Sequence, residues 1–496
     1  MNKTNYNYFF YILLYLVFSH FIPFNRASLS PDDYVLINLP INGFKNFFLH
    51  SDRPILYMWL ELQYSILKND TNLYFYLLII SSYLVSILTF ILFNIFFENI
   101  KSFVITIIYL VLVYNIEMYQ NSIMIHINLA TSLYLISLIL LLKSKDSNLN
   151  YFFSILFYLI AIFWYEIGFF IPFAFLFLKL QYPFTSKLKI LIPFIILMLI
   201  YSINRLTGLF GIFELNSSHS ITFNFLSSII EVFNHFFGRY FLKNLIYGYY
   251  QFFKMPYYFI IVLILFNFLS FYLIRKKLLI IQTNNNIKTI LFFIFLFIFS
   301  LFPVILNGQA GGRNLIIPSI SVAFFIYFFL FEYLKQKKLV NIFIIIFLIA
   351  SQGNAFSQYV SSNIHFSILN KILKDKNEIN KVDYFLFDAS SLSKNIEHSL
   401  VNNQYNIINT YYGSQVWETW GIKGFVNSIK SNKNLETLIL VENPVYTETG
   451  LNIKYIKNQK YKYIGVGNKH LEKNNIYLLN FNTIYNDNYY NGLINK

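Results

Sequence analysis

The sequence predicts a polytopic α-helical membrane protein with a small α/β domain at its C-terminus. The first observation is composition: of 496 residues, 56% are hydrophobic and 12% are charged. Soluble domains carry about 25% charged residues, so the chain lies outside their range. The second observation is a series of long apolar runs, and the third is a change to Lys-, Asn- and Asp-rich sequence after Ser361. The chain has no cysteine, so this terminal domain is expected to fold without disulfide bonds.

About eleven apolar runs approach the length at which a helix crosses a bilayer, roughly 17 to 25 residues. No small-x-small cleavage site follows the first run, which is therefore predicted to remain as an uncleaved anchor. The predicted spans are Tyr8–Phe24, Leu73–Phe97, Phe103–Ile116, Ile125–Leu142, Tyr151–Trp164, Ile167–Leu178, Ile190–Ile203, Tyr257–Ile274, Thr289–Leu306, Leu315–Phe331 and Val340–Ala350.

The charged residues predict the orientation of these spans. With Lys3 in the cytoplasm, the loops on that side collect most of the basic residues of the membrane part and only the acids Glu98, Asp146 and Glu332. Such a bias is the positive-inside rule, which explains the net charge of +15 better than a nucleic-acid-binding surface does. We therefore expect a multi-pass protein of the cytoplasmic (inner) membrane, with a cytoplasmic N-terminus and a periplasmic or extracellular C-terminal domain.

Two neighbouring runs, Tyr151–Trp164 and Ile167–Leu178, are each too short to cross fully. They are expected to form a helical hairpin whose tip, Tyr165-Glu166, lies below the outer surface; one long tilted helix is the alternative. Long outward segments precede the second and the eighth spans, and helical pieces are predicted in them at Ile55–Leu67 and Phe223–Phe252.

The domain boundary is placed between residues 358 and 359, with a multispan domain over 1–358 and an extracytoplasmic α/β domain over 359–496. Short apolar runs in the second part have the length of strands. The expected elements are a helix at Ser362–Leu373 and strands at Val382–Phe387, Leu438–Val441, Tyr461–Val466 and Ile476–Phe481.

Ionisable residues near the outer ends of the spans are the candidates for function, because such groups are costly at membrane depth. The adjacent carboxylates Asp32 and Asp33 could supply a general base, since one can raise the pKa of the other. They follow Ser30-Pro31, so helix capping is the alternative.

Arg53 and Arg313 are candidates for binding an anion, because a guanidinium matches phosphate or carboxylate. Arg53 could instead be an interfacial residue, and the glycine-rich segment before Arg313 could be an ordinary turn. Glu166 could bind substrate or form a salt bridge to a neighbouring arginine. No Ser-His-Asp pattern, zinc pattern, Walker loop or dinucleotide fingerprint is present in the sequence, so no motor for ATP-driven transport is predicted.

The order and common side of these residues resemble the GT-C superfamily of polyprenyl-phosphate-dependent glycosyltransferases, and bacterial O-antigen and cell-surface glucosyltransferase-like proteins in particular. The motifs that carry the resemblance are Ser30-Pro-Asp-Asp-Tyr34, Asp52-Arg-Pro54, Tyr165-Glu166 and an Arg-x4-Pro motif from Arg313 to Pro318. Glu117 is the counterpart of an acidic residue that such enzymes often show near the third and fourth spans.

The resemblance implies an inverting transfer of a sugar from a polyprenyl-phosphate donor to a glycan, lipid or protein acceptor at the outer membrane face. Asp33, or Asp32, would be the base, while Arg313, and second Arg53, would bind the donor phosphate. Sugar or acceptor would contact Glu166, His50, Asp52, Tyr165 and Glu117. Some relatives use a divalent cation and others do not, so this cofactor is left open and no metal ligand is assigned.

Two other functions fit the sequence. An O-antigen or capsule polymerase also acts on lipid-linked sugars, but usually carries its large loop between spans. A non-catalytic transporter or flippase for lipid-linked sugars would be expected to place charges along many spans, whereas here the spans are nearly free of charge. Surface chemistry is therefore the favoured interpretation.

Overall fold

The computed structural model is mostly helical, with one small sheet near the C-terminus. It describes residues 3–21, 23–24, 53–67, 70–115, 117–120, 122, 124–144, 147–177, 184–207, 225–278, 287–307, 312–334, 336–388, 426, 435–440, 442–459 and 462–480. The α-helices are α1 (Lys3–Leu16), α2 (Pro54–Leu67), α3 (Thr71–Asn94), α4 (Asn99–Val111), α5 (Glu117–Gln120), α6 (Met124–Leu142), α7 (Asn148–Trp164), α8 (Phe184–Thr207), α9 (Phe225–Phe233), α10 (Asn244–Lys254), α11 (Tyr257–Leu278), α12 (Ile287–Asn307), α13 (Ile316–Tyr327), α14 (Lys337–Lys374) and α15 (Lys376–Ile379).

Tighter or wider helical turns connect or extend several of these helices. The 3₁₀ turns are Val113–Asn115, Glu166–Gly168, Ile171–Phe177, Gly312–Leu315 and Lys473–Asn475, and the π-helical turns are Val17–Phe21, Asn234–Lys243 and Phe328–Tyr333. Turns of this kind inside a helical bundle often mark functional segments.

Within the described residues, five helices are long and apolar enough to cross a membrane: Asn72–Asn94, Met124–Leu142, Ile287–Leu306, Ile316–Tyr333 and Leu339–Phe356. A sixth span results if Leu226–Lys254 and Tyr257–Phe268, bent by 118°, are counted as one. Shorter apolar helices occupy Asn7–Phe21, Asn99–Val111, Asn148–Trp164, Glu166–Phe177 and Leu188–Asn204. Five of the eleven predicted spans coincide with these long helices, and the others overlap shorter apolar helices or one arm of the bent pair, so the count of eleven stays a prediction.

Large apolar side chains cover the outward faces of the helices. On α8 and α11 the exposed residues include Ile192, Ile196, Leu199, Ile203, Tyr257, Ile261, Ile264, Leu265 and Phe268. Soluble monomers rarely expose contiguous apolar patches larger than a few hundred Å². These surfaces therefore face lipid, and the chain is a helical membrane protein.

The two short runs are interrupted at Tyr165, as the predicted hairpin tip requires. The backbone of Tyr165 is extended (φ −161°, ψ 126°), which ends α7 and excludes one continuous helix. The second run is a 3₁₀ helix and packs against α12, α8 and α6. Helices are found at the predicted stretches Ile55–Leu67, as α2, and Phe223–Phe252, as the helical segment 225–254, with residues 223 and 224 outside the described residues. Their outward placement stays a prediction.

Helices α10 and α14 cross at two glycines. A Cβ atom on Gly353 would lie 1.8 Å from the carbonyl oxygen of Gly248, so only glycine permits this approach. The side-chain amide of Asn354 donates to the carbonyl oxygen of Asn244 at 2.8 Å beside the crossing. Close backbone contact at small residues is the usual way in which helices associate in membranes, and here it positions the last membrane helix.

The C-terminal sheet has the strands β1 (Tyr384–Asp388), β2 (Glu436–Leu440), β3 (Val445–Tyr446), β4 (Gly450–Gln459), β5 (Lys462–Glu472) and β6 (Ile476–Asn480). The order is β3-β4-β2-β1-β6, and β5 pairs with β4. Strand β1 is parallel to β2 and β6, with Phe385 opposite Thr437 and Tyr477, and the other pairings are antiparallel. The four predicted strands coincide with β1, β2, β5 and β6, while β3 and β4 were not predicted.

One continuous helix joins the membrane part to the sheet. The predicted helix at Ser362–Leu373 is the end of α14, which also contains the last apolar span and the proposed boundary at 358/359. Ile368, Ile372 and Ile379 bury their side chains in the same core as Phe385 and Phe387 of β1. The sheet therefore packs one face against the end of the helix that leads into it.

Candidate functional site

The site is built around Arg53, which directly precedes α2. Pro54 occupies the first position of this helix, where its missing N–H costs nothing, and the chain therefore turns into the helix immediately after Arg53. Nε of Arg53 donates to Oε2 of Glu166 at 2.9 Å, and Nη2 donates to Oε1 at 2.5 Å. This is the two-pronged geometry that favours arginine over lysine as a partner of carboxylates.

Two tyrosines complete this group. The guanidinium carbon of Arg53 lies 4.5 Å from the centre of the Tyr165 ring, a cation–π contact. The hydroxyl of Tyr201, on α8, donates to Oε2 of Glu166 at 3.3 Å. We call Arg53, Tyr165, Glu166 and Tyr201 the arginine cluster. The cluster joins three segments that are far apart in sequence: the start of α2, the break that follows α7, and helix α8.

The backbone at the break is held by a second layer of contacts. The hydroxyl of Tyr134 donates to the carbonyl oxygen of Tyr165 at 3.0 Å, and that of Tyr158 donates to Phe169 at 2.6 Å. A Cβ atom on Gly168 would lie 2.5 Å from Cγ of Tyr134, so glycine is required for this packing. These contacts fix the direction in which Glu166 leaves the chain.

The side chains of the ion pair are neither buried nor fully exposed, at 20% for Arg53 and 24% for Glu166. Burial lowers the pKa of Arg53, but the charge of Glu166 and the neighbouring tyrosines outweigh it, so this pKa lies well above its usual range. The guanidinium stays charged at every physiological pH. Its charge is balanced by Glu166, so the cluster is close to neutral. The partial exposure of both side chains lets solvent reach it.

A second group of predicted residues meets through the backbone. The turn Gly312–Leu315, which contains Arg313, packs against Val113–Asn115 and against α5, which begins at Glu117. Ser319 on α13 donates to Oδ1 of Asn115 at 3.0 Å and holds these segments together. The short segments that contain Glu117 and Arg313 are therefore in contact, although almost 200 residues separate them in sequence.

His126 lies between the two groups. Helix α5 packs against α6, and the ring of His126 near the start of α6 is 6.1 Å from the ring of Tyr165. The end of α7 and the start of α6 lie at one end of the bundle, because the two helices pack together and are consecutive and antiparallel. Arg53, Tyr165 and Glu166 thus lie at the same end as the backbones of Glu117 and Arg313.

Four predicted site residues, Asp32, Asp33, His50 and Asp52, lie outside the described residues. Of the predicted roles, the salt-bridge alternative for Glu166 is the one that the geometry displays. The role of Tyr201 was not predicted, because nothing in the sequence distinguishes this residue from the rest of the 41 tyrosines. Among the side chains that the structure describes, no three His, Asp or Glu residues come together in a way that could hold a metal ion.

A further ion pair lies elsewhere in the bundle. Lys101, in the first turn of α4, approaches Oε1 of Glu332 at 3.4 Å, and both side chains are buried. We call these residues the lysine pair. Both residues are predicted to lie on the cytoplasmic side, whereas Arg53 and Glu166 are predicted to lie on the outer side. Each ion pair therefore joins residues predicted to lie on the same side.

The chain was also compared with known proteins. No protein-family model matches it, and no curated protein matches it in sequence. The structure itself gives the fold class, a helical membrane protein with a small C-terminal sheet.

Proposed function

We propose that this protein is an integral membrane glycosyltransferase of the GT-C type. It would move a sugar, with inversion, from a polyprenyl-phosphate donor to a glycan, lipid or protein acceptor on the outer face of the membrane. The observation that supports this best is the arginine cluster: a charged, partly exposed guanidinium held against an aromatic ring where a helix is interrupted. Interrupted helices at membrane depth are tolerated where they line a cavity or are buried in protein.

The proposal includes a topology. Eleven spans, a cytoplasmic N-terminus and a periplasmic or extracellular sheet would place the arginine cluster and the turn around Arg313 on the outer side. The lysine pair would lie on the cytoplasmic side. Support comes from the agreement of predicted spans with apolar helices and from the sidedness of the two ion pairs.

In the proposed mechanism, Asp33 or Asp32 accepts the proton of the acceptor hydroxyl as its oxygen attacks the anomeric carbon. The bond from that carbon to the phosphate oxygen breaks, and the lipid phosphate leaves with an additional negative charge. A cation that meets this charge stabilises the transition state more than the ground state. Because Glu166 neutralises Arg53, Arg313 is the first choice for this cation, and Arg53 with Glu166 would orient the sugar or acceptor.

The test is transfer by the purified full chain in proteoliposomes, with polyprenyl-phosphate-linked radiolabelled glucose as donor and lipid-linked glycans as acceptors. We expect release of lipid phosphate coupled to a labelled glycan, and we expect Asp33→Asn to abolish both. Glu231→Gln is the control, because Glu231 is an exposed acid on α9 whose described ion-pair partner is His235. Full activity of both Asp32→Asn and Asp33→Asn would overturn the assignment of the base. Movement of intact donor across the bilayer without transfer would favour a flippase.

A further inference from the structure

The end of the first membrane helix carries a group of buried polar atoms. After Leu16 the helix continues as the π-helical turn Val17–Phe21, and Ser19 and His20 are fully buried in it. Tyr15, one turn earlier, is also buried. We call Tyr15, Ser19 and His20 the histidine pocket. None of these residues belongs to the arginine cluster or takes a role in the proposed transfer.

Within the described residues, the ring nitrogens of His20 have no hydrogen-bond partner. The hydroxyls of Tyr15 and Ser19 interact with each other and have no other described partner. A neutral imidazole has one N–H donor and one acceptor nitrogen, and a protonated one has two donors. In either state His20 therefore presents two groups that need partners, and buried polar groups in proteins nearly always have them.

The packing around His20 explains why these atoms share one place. The His20 ring stacks on Tyr119 of α5 with centroids 4.3 Å apart, and the Tyr15 ring lies 6.1 Å away. Hydrogen bonds of a π-helical turn run to the fifth residue, the spacing that separates Tyr15 from His20. On the opposite side, the amide of Gln352 on α14 reaches the backbone oxygen of Ser19 at 3.4 Å, and the neighbouring Ser351 hydroxyl is also buried without a described partner.

We propose that the histidine pocket is a water-binding site within the helical bundle. Water is the ligand of matching chemistry, because a single small molecule can donate to and accept from several such groups at once. Apolar groups would leave the same atoms unsatisfied, and within the described residues no further acids or histidines gather there to hold a metal ion. The histidine pocket lies beside α5. Because α5 packs against the turn Gly312–Leu315, the pocket is close to the segment that contains Arg313.

The experiment is cysteine labelling of the full-length chain in detergent, which is direct because the native sequence has no cysteine. Ser19→Cys is the probe, and 2-aminoethyl methanethiosulfonate is the reagent. The reaction requires a thiolate, which forms only where water can solvate it. Ser86→Cys is the matched control, since Ser86 is equally buried but donates to the carbonyl oxygen of Ser82 at 2.7 Å.

We expect Ser19→Cys to react at least tenfold faster than Ser86→Cys, with both variants monodisperse by size-exclusion chromatography. Equal, slow rates would overturn the proposal. A second measurement covers the case in which Ser19→Cys fails to fold. His20→Phe removes both unpartnered ring nitrogens and keeps an aromatic ring against Tyr119. In a dry pocket this raises the melting temperature, whereas in a hydrated pocket it leaves the temperature unchanged or lowers it. A raised melting temperature would therefore contradict the proposal.

Discussion

The arginine cluster and the lysine pair join helices at opposite ends of the bundle, yet they solve different physical problems. Arg53 and Glu166 meet through two hydrogen bonds, retain about a fifth of their side-chain surface and touch two tyrosines. Lys101 and Glu332 meet through one contact, are only 5% and 4% exposed, and leave Oε2 of Glu332 without a described partner. The arginine cluster is thus accessible to solvent and has a fixed two-hydrogen-bond geometry. The lysine pair is buried, and its two charges neutralise each other.

Functional and structural charges in a membrane bundle can be separated by how far their side chains are exposed. A buried pair is costly to break because the remaining charge is left in a low-dielectric medium. A partly exposed pair loses less, because water can solvate the remaining partner. We therefore expect the lysine pair to control stability and the arginine cluster to control activity.

The largest effect on stability is expected from Glu332→Leu. It leaves Lys101 buried and unpaired, which costs about 3–5 kcal/mol. The melting temperature and the monodisperse yield should fall sharply, and Lys101→Met together with Glu332→Leu should recover most of the loss. Glu98→Gln is the control, because Glu98 is exposed at the same end of the bundle. A stable single variant would show that the pair is not needed.

The arginine cluster should give the opposite balance. Arg53→Lys keeps a charge but loses the two-pronged geometry, and we expect transfer to fall at least tenfold, about 1.4 kcal/mol in the barrier, with little change in melting temperature. Lys254→Ala is the control, since Lys254 lies 4.1 Å above the ring of Tyr250 away from the cluster. Exchanging the partners, as Arg53→Glu with Glu166→Arg, should leave stability nearly unchanged and should not support transfer. Recovered transfer would mean that the pair is structural.

A third charged group, around Asp375 at the end of α14, is expected to make stability depend on pH. Lys371 lies 2.8 Å from Asp375, and the hydroxyl of Tyr477 on β6 donates to the same carboxylate. These two hydrogen bonds hold the pKa of Asp375 below its usual range, against the opposing effect of burial. A carboxylate with a lowered folded-state pKa stabilises the fold above its unfolded pKa of about 4, and this contribution is lost as the pH falls further.

Thermal unfolding of the C-terminal sheet should therefore weaken below about pH 4 in the native protein. Asp375→Asn should lower stability at neutral pH by about 1 kcal/mol and flatten this pH dependence. Asp383→Asn, at an exposed site before β1, is the control and should leave the profile unchanged. An unaltered profile in Asp375→Asn would show that another group governs the acid transition.

The smallest effect is expected from Tyr201→Phe, which removes one hydrogen bond to Glu166 and keeps the ring. The loss should be about 0.5–1.5 kcal/mol, seen as a reduction of transfer with nearly unchanged melting temperature. Tyr83→Phe removes a comparable bond, to the carbonyl oxygen of Phe9 at 3.1 Å, far from the cluster. Equal effects of the two variants on transfer would remove Tyr201 from the site.

Much of the membrane fold could be predicted because long apolar runs encode helices locally. The interruption at Tyr165 was also predictable, since two runs too short to cross flank a glutamate. Strand β3 was missed because it has only two residues, and β4 was missed because Lys and Asn interrupt its apolar residues and its pairing depends on a hairpin partner. The continuity of α14 was missed because polar residues separate the predicted span Val340–Ala350 from the predicted helix Ser362–Leu373, although Ser351, Gln352 and Asn354 are buried in the bundle.

The candidate site could be predicted only as a set of residue types on one side. Arg53 and Glu166 are 113 residues apart, and no local pattern indicates that they pair. The contact between the segments that contain Glu117 and Arg313 likewise depends on how α4, α5 and α13 pack together. Contacts of this kind form only in the folded chain. The identities of the candidate residues could therefore be predicted from the sequence, but the contacts between them could not.

The uninterrupted helix α14 has a mechanical consequence. Its 38 residues span about 57 Å, roughly twice the hydrocarbon thickness of a bilayer, and the sheet is packed against its end. Beyond the crossing at Gly353, α14 continues for 21 residues, or about 32 Å, to Lys374. A rotation of the helix about this crossing would therefore move its far end. A tilt of about 10° at this point would move the sheet by about 5 Å. A force on the C-terminal domain would thus be felt inside the membrane at the contact between α14 and α10.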